Sequence, residues 1–445
     1  MDGSSGISSD KPVLPSMRWK ALALVLLMQT LFFCVWLQRP IEVISDNVRY
    51  EVAGYNLAAG RGLSLPNSLA KDEEVRGWVC TRHPEACLSD TTYPVAIYAP
   101  GYSVFIAASY LLFGRSLPAL VVEQLVLLWI LFVLLEQMAA RRLRYPGYLF
   151  VMAIAGTYPF IARTASAIQS DHLHVALYFA AFASLFVFPP GPVRGGLFGG
   201  LGAFAMLVRP YCMFVFPAVL LLPRLWRTSV GFWRERTVAL VCLLLPLLAW
   251  TGRNAYWFGR FIPFTTNGVG ITLYHTTMEW DGESQYDTQR QERWYGDLEE
   301  HLGADPMSYI GSRRALGEAL ERIRENPGQM VKRLAIHVPK SWVSLGTTGG
   351  GVSKAWPLLV TYLGGLVAVG VAGIWLKRRD PLWQALALGI LCYWIVLIPI
   401  PADARRSLPL RLPMLLFAGV AVEAAWRRWS ATRLALTRTR SSREI

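Results

Sequence analysis

The sequence predicts an all-α, polytopic membrane protein with about ten transmembrane helices. Three observations carry that prediction. Charged residues make up only 17% of the chain, against roughly a quarter in a soluble domain. Hydrophobic residues reach 53%, and the mean hydropathy is +0.34. Apolar runs near bilayer-spanning length recur along the chain, and backbone polar groups in lipid must be satisfied within the segment, so the runs are helices. The alternating pattern of a membrane barrel is absent.

The elements follow in order. Run 21–37 (ALALVLLMQTLFFCVWL) comes after Lys11, Arg18 and Lys20 and lacks a small-residue cleavage site. It reads as an uncleaved first span with a cytoplasmic tail, 1–20, before it. That span delivers Asp46 to the outer face. Run 98–114 (YAPGYSVFIAASYLLFG) decides the rest of the threading. If it crossed the membrane, Arg141, Arg142 and Arg144 after run 118–139 would lie outside. If it lies along the outer surface as an amphipathic juxtamembrane helix, they are cytoplasmic.

The second choice also puts the later basic stretches in the cytoplasm. Spans are then expected near 146–162, 172–188, 195–209, 211–223, 237–251, 356–376, 381–399 and 408–426. The 195–223 pair is short and rich in Gly and Pro, as two tilted helices or one broken helix. Two large outer regions result, 46–116 and 252–355, within a transmembrane domain spanning 21–426. Residues 427–445 form a basic cytoplasmic tail. The second outer region holds a helical pattern broken at Asn326-Pro327, with Pro327 opening a helix along the membrane towards Trp342. GTTGGGVS (346–353) reads as a flexible joint.

The net charge of +14 fits basic cytoplasmic loops, and no nucleic-acid-binding signature competes with that reading. Of six cysteines, Cys34, Cys212, Cys242 and Cys392 lie in apolar runs and read as small hydrophobes. Cys80 and Cys87 share a polar loop outside the cytoplasm and are a disulfide candidate. With His83 they would supply only three zinc ligands.

Polar residues gather at the outer edge. Asp46, Arg49, Tyr50 and Glu51 follow the first span. Arg163, Gln169, Asp171, His172 and His174 fall between the third and fourth. Arg209 and Tyr211 join the fifth and sixth, Arg253 and Asn254 follow the seventh, and Asp403, Arg405 and Arg406 precede the tenth. Any one of these arginines could be a solvated or snorkelling side chain. Asp171 could cap a helix. His172 and His174 do not share a helical face, which disfavours a metal pair. Together, though, the set suits chemistry on a lipid-linked phosphate. A carboxylate can take a proton from an acceptor hydroxyl, and arginines hold phosphate through charge-assisted bonds.

The ordered set of segments resembles the GT-C superfamily of membrane glycosyltransferases. It is most similar to bacterial relatives of the dolichyl-phosphate-mannose protein mannosyltransferases and to the lipid A aminoarabinose transferases. The segments are SDNVRYEVAGYNLAAGRGLS, YAPGYSVFIAASYLLFG, EQLVLLWILFVLLEQMAARRL, SDHLHVALYFAAFASL, LVRPYCMFVFPAVLL, WTGRNAYWFGRFIPFTTNGVGITLY, ENPGQMVKRLAIHVPKSW and RRSLPLRLPMLLFAG. They cover most of residues 20–425.

The resemblance implies a juxtamembrane YAPGY helix and transfer of one sugar from a polyprenyl-phosphate donor. The acceptor would be a lipid, glycan or protein outside the cytoplasm, with inversion at the anomeric carbon. It implies Asp46 as the catalytic base and Asp171 as the second acid. It places Arg209, and more loosely Arg253, Arg405 and Arg406, at the donor phosphate. Arg49, Tyr50, Glu51, Tyr98 and His172 are then expected against substrate. By their place in the segment Tyr50 and Tyr55 fit packing positions on a surface helix better, and Arg49 and Glu51 fit either role. Two departures stand out. Asn47 follows Asp46 where protein mannosyltransferases carry adjacent acids, and 252–355 is too short for the eukaryotic lumenal domain. Members differ in metal use, so a divalent metal stays open, and no ligand cluster stands out.

The implied setting is a bacterial inner or plasma membrane, with the site on the periplasmic or extracellular side and membrane lipids as partners. Two other classes compete. A polysaccharide polymerase or ligase would use lipid-diphosphate donors. A lipid or solute transporter would carry charge at the midplane and internal repeats, and no repeat is evident.

Overall fold

The protein is described from a computed structural model, which covers 13–37, 39–43, 46–87, 92–227, 232–266, 269–278, 298–343, 356–400 and 404–441. The joint expected at 346–353 and Asp403 lie outside the described residues.

Among the described residues the regular structure is helical apart from one antiparallel pair of two-residue strands, β1 (Ser64–Leu65) and β2 (Tyr93–Pro94). Through the first large outer region the helices are α1 (Pro15–Trp36), α2 (Asp46–Ala58), α3 (Asn67–Ala70), α4 (Glu73–Arg82) and α5 (Gly101–Phe113). Then come α6 (Leu117–Arg142), α7 (Tyr145–Thr157), α8 (Phe160–Ala165), α9 (Ser170–Val187), α10 (Pro192–Val208), α11 (Val215–Leu220) and α12 (Pro223–Trp226). The rest are α13 (Phe232–Phe258), α14 (Val269–Met278), α15 (Tyr309–Glu325), α16 (Pro327–Val343), α17 (Trp356–Lys377), α18 (Pro381–Leu397) and α19 (Ala404–Ser441).

Six of the described helices are long and apolar enough to cross a membrane; they correspond to α1, α6, α9, α13, α17 and α19. The chain is an integral, multi-pass membrane protein. The pair expected to be short, 195–223, folds as α10 and the stretch Pro210–Leu220 that contains α11, while the spans expected at 146–162 and 381–399 fold as the shorter helices α7 and α18. Span α9 is mostly buried, whereas most of α1, α13 and α17 faces outward. Short helices next to a buried central helix are tolerated because protein rather than lipid surrounds their ends.

Local sequence explains where the helices begin. Pro occupies the first turn of α1, α6, α7, α10 and α18, where its missing N–H is not needed. Ser116 accepts from Ala119 N at 3.3 Å to cap α6, and Ser308 accepts from Gly311 N at 3.0 Å to cap α15. At the other end, α19 runs through most of the stretch expected as a tail. No Gly or Pro follows Pro413 within it except Gly419, and the Arg427–Glu423 pair at 2.5 Å supports the last turns, so nothing stops the helix.

Direction is set by side chains that tie helix ends together. Arg18, at the start of α1, reaches Glu136 near the end of α6 at 2.8 Å, and Trp129 donates to Thr30 Oγ1 at 3.0 Å. α1 and α6 are therefore antiparallel, and α6 starts on the side where α1 ends. The 98–114 segment leaves and returns on that same side, here termed the first-loop side. Its helix, α5, is apolar on both faces rather than amphipathic. Tyr102, Ile106 and Tyr110 are buried, while Leu111, Leu112 and Phe113 are exposed at its end. α2 packs along it, held by Tyr110 and Arg115 on Glu51.

The remaining ends follow. Gln124 near the start of α6 donates to the carbonyl of Gln169 just before α9, at 3.4 Å. Arg194 and Glu235 pair the starts of α10 and α13 on the opposite side. Arg144 N donates to Glu423 at 2.7 Å, tying the start of α7 to the far part of α19. The first-loop side thus gathers the ends of α1, α10, α13 and α18 and the starts of α6, α9 and α19.

The two loop regions on that side share one carboxylate. Asp72 caps α4 by accepting from Val75 N at 3.3 Å, and its other oxygen accepts from Tyr309 N at 2.9 Å. Burial pushes this carboxyl up to about 6, against the lowering pull of the two backbone donors. The folded pKa lies above the unfolded value of 3.8, so the folded state binds the proton more tightly. The carboxyl favours the folded state most below about pH 4, and that contribution is lost as pH rises through 6. Thermal unfolding of wild type should therefore show a midpoint decline between pH 4 and 6 that Asp72→Asn flattens. An unchanged slope in the variant would remove Asp72 as its source.

Candidate active site

At the first-loop side lies a part-buried ion pair. Asp171 is the second residue of α9, and Arg209 follows α10. Arg209 Nη2 donates to Asp171 Oδ2 at 2.9 Å. The carboxylate also lies in the first turn of α9, where the helix dipole favours its charge. Gln169 occupies the cap position, so the contact that Asp171 makes is the arginine, not a capping bond. Asp171 is 6% exposed at its side chain and Arg209 24%. The guanidinium is therefore open on one side, and its Nε is buried without a hydrogen-bond partner.

Aromatic rings lie beside this pair. Arg209 lies over the Tyr211 ring, 6.0 Å from its centroid. Tyr50 stacks on Tyr98 at 4.7 Å and meets the edge of Tyr102 at 5.5 Å. Tyr102 OH accepts from Gln124 Nε2 at 3.2 Å, and that amide also reaches the Gln169 carbonyl beside Asp171. An unbroken set of contacts therefore links the start of α9 to α2. Arg49 extends it, donating to Tyr98 OH at 3.1 Å and to the Leu69 carbonyl at 2.8 Å.

Asp46 is the first residue of α2, with Arg49 and Tyr50 one turn further on the same face. The side chain of Asp46 lies outside the described residues. Glu51 is directed elsewhere. Its Oε1 accepts from Tyr110 at 2.8 Å and from Arg115 at 2.9 Å, and Oε2 accepts from Arg115 at 3.0 Å. Both carboxylate oxygens are occupied in fixing α2 to the α5–α6 corner.

His172 is fully buried in α9, and neither ring nitrogen meets a hydrogen-bond partner of normal geometry. His174, also buried, bridges the Ala205 carbonyl and Tyr393 OH, each at 3.1 Å. The two histidines pack in the helix bundle rather than side by side. Among the described residues no group of three or more His, Cys, Asp or Glu could hold a metal ion.

The remaining candidate arginines divide. Arg253 donates to the carbonyls of Val95 and Leu63, each at 3.0 Å, with Trp250 and Phe258 about its guanidinium. That geometry fastens the end of α13 to the β1–β2 pair. Arg406 lies in the first turn of α19. Arg405 is helical there too, but its side chain lies outside the described residues. Cys80 is disulfide-bonded. The side chain of Cys87, its expected partner, lies outside the described residues, and Cys34, Cys212, Cys242 and Cys392 are free.

Arg411 is a candidate absent from the sequence-derived set. It is 4% exposed within α19, donates to Tyr158 OH, and reaches Ser407 Oγ at 3.1 Å. Its signal in the sequence is a cation inside an apolar run, LPLRLPMLLFAG, and such a residue marks an intramembrane functional group by default.

No family model matches the sequence, and no curated protein is found similar to it. Two crystal structures of ArnT from Cupriavidus metallidurans are similar to this chain, both at 16% identity. The apo structure gives a TM-score of 0.36 and covers 92% of this chain and 78% of its own. The structure bound to undecaprenyl phosphate gives 0.35, covering 90% and 77%. A likeness of that depth assigns neither donor nor acceptor.

Proposed function

We propose that the protein is a GT-C-type membrane glycosyltransferase. It moves a single sugar from a polyprenyl-phosphate donor to an acceptor hydroxyl on a lipid, glycan or protein. The first-loop side is the outer face of a bacterial plasma membrane. The observation that carries this reading is the Asp171–Arg209 pair, a buried carboxylate holding a half-open guanidinium at the membrane edge.

In the reaction, Asp46 takes the acceptor proton as the hydroxyl oxygen attacks the anomeric carbon. The bond from that carbon to the phosphate oxygen breaks, and its electron pair leaves with the phosphate. Negative charge grows on the phosphate as it departs, so a fixed guanidinium stabilises the transition state more than the ground state. Asp171 keeps Arg209 oriented. In-line attack inverts the anomeric centre.

The test is sugar transfer by purified protein from polyprenyl-phosphate donors, with the product's anomeric configuration read by NMR. Transfer confined to lipid-diphosphate donors would favour a polymerase or ligase. Lipid movement across a vesicle without transfer would favour a transporter. Arg209→Ala should lower transfer about 100-fold, in line with loss of one oxyanion-type contact. Arg209→Lys keeps the charge but not the planar fork, and should recover only part of the rate. Full activity in both variants would remove Arg209 from the donor site.

A further inference from the structure

We propose that the turn after α13, together with the end of α4, forms a binding site for anionic membrane lipid, separate from the Asp171–Arg209 site. α13 exposes Val241, Leu245 and Leu248 along one face, and Tyr256 continues that face at helical spacing, 60% exposed. Trp233, exposed near the other end of the helix, stands about 34 Å from Tyr256 along the axis at 1.5 Å per residue. A hydrocarbon core is about 30 Å thick. The two aromatics therefore mark the two interfaces, and Tyr256 sits at headgroup level.

Just beyond it, Phe261 is 81% exposed. Arg82 and Arg260 flank that turn. Gly259, at φ +65°, lets the turn form, and the Arg82 guanidinium packs where a side chain at 259 would stand. Arg260 lies over the Trp78 ring at 4.2 Å. Among the described residues neither guanidinium makes a hydrogen bond or an ion pair. The nearby carboxylate of Glu85 lies 3.4 Å from His83 Nδ1 and not on either arginine. His83 rests on the Tyr256 ring at 4.6 Å, so the end of α4, which carries the disulfide-bonded Cys80, is fixed to the lipid-facing helix. Two available cations beside an exposed ring at headgroup depth fit a lipid phosphate, with the ring packed against the lipid at the interface.

The test uses the full-length protein in nanodiscs, comparing phosphatidylcholine with and without phosphatidylglycerol. Anionic lipid should raise the unfolding midpoint of wild type by about 2–4 °C. The Arg82→Gln/Arg260→Gln variant should lose that rise while matching wild type in pure phosphatidylcholine, and Arg324→Gln, an exposed control, should keep it. Native mass spectrometry should show fewer phosphatidylglycerol molecules retained by the double variant. An equal rise and equal retention in the double variant would overturn the proposal. So would a rise in the unfolding midpoint with a soluble oligosaccharide, lost on Phe261→Ser, with no response to anionic lipid.

Discussion

Asp46→Asn is expected to lower sugar transfer by about 10²- to 10⁴-fold, the range for loss of a positioned general base. The substitution separates two roles open to this residue. Asp46 begins α2, so its carboxylate could simply stabilise a helix N-terminus, worth about 0.3–1 kcal/mol. Asn lacks that charge, so the substitution forfeits no more than this small contribution. A residue that only starts the helix would therefore leave both kcat and the unfolding midpoint close to wild type. A base would lose kcat while the midpoint and the donor KM hold. The companion variant Asp171→Asn should behave differently. It leaves Arg209 without its carboxylate, so donor KM should rise as the guanidinium loses its orientation. If Asp46→Asn retains full transfer while Asp171→Asn loses it, the base has been assigned to the wrong acid.

The direction of α6 relative to α1 was legible because charge and direction are coupled. Arg141, Arg142 and Arg144 predicted that the YAPGY segment returns to its own side, and the Arg18–Glu136 pair at 2.8 Å fixes the same direction for α6. Asp171 and Arg209 were legible as separate candidates. Their pairing was not, because 38 residues of helix and turn separate them and no local period connects them. Glu51 shows the limit most plainly. In the sequence it shares a polar segment with Asp46, yet i and i+5 point to different sides of a helix, and its partner Arg115 arrives from 64 residues away. Arg253 reads as a phosphate ligand in isolation, whereas its donors meet the Leu63 and Val95 carbonyls, which only tertiary structure brings near. Arg411 was hidden for the opposite reason. An apolar run discourages attention to its one cation, although lipid makes that cation the costliest residue in the run.

The largest effect on stability is expected far from the site. Arg194 and Glu235 meet at 2.5 Å with side chains 3% and 0% exposed. Gly195 and Gly199 bring α10 against the Glu235 and Ala239 carbonyls, so closely that a Cβ at either glycine would collide with backbone. This is the small-xxx-small geometry of membrane helix pairs, and it seals the ion pair from water. Arg194 Nη2 and Glu235 Oε2 meet no partner, so the pair is desolvated without being fully satisfied. Removing one member should then cost far more than removing both. Glu235→Ala leaves a buried guanidinium uncompensated, and a loss of about 3–5 kcal/mol is expected in reversible unfolding in one detergent. Arg194→Met/Glu235→Leu fills similar volume with apolar groups and should come within about 1 kcal/mol of wild type, or exceed it. Because the pair joins helix starts on the side opposite Asp171, the double variant should also keep its transfer rate. Additive losses from the two single variants would mean that the pair is solvated and contributes no coupling. A stable double variant that has lost transfer would instead show that this contact sets the positions of α10 and Arg209.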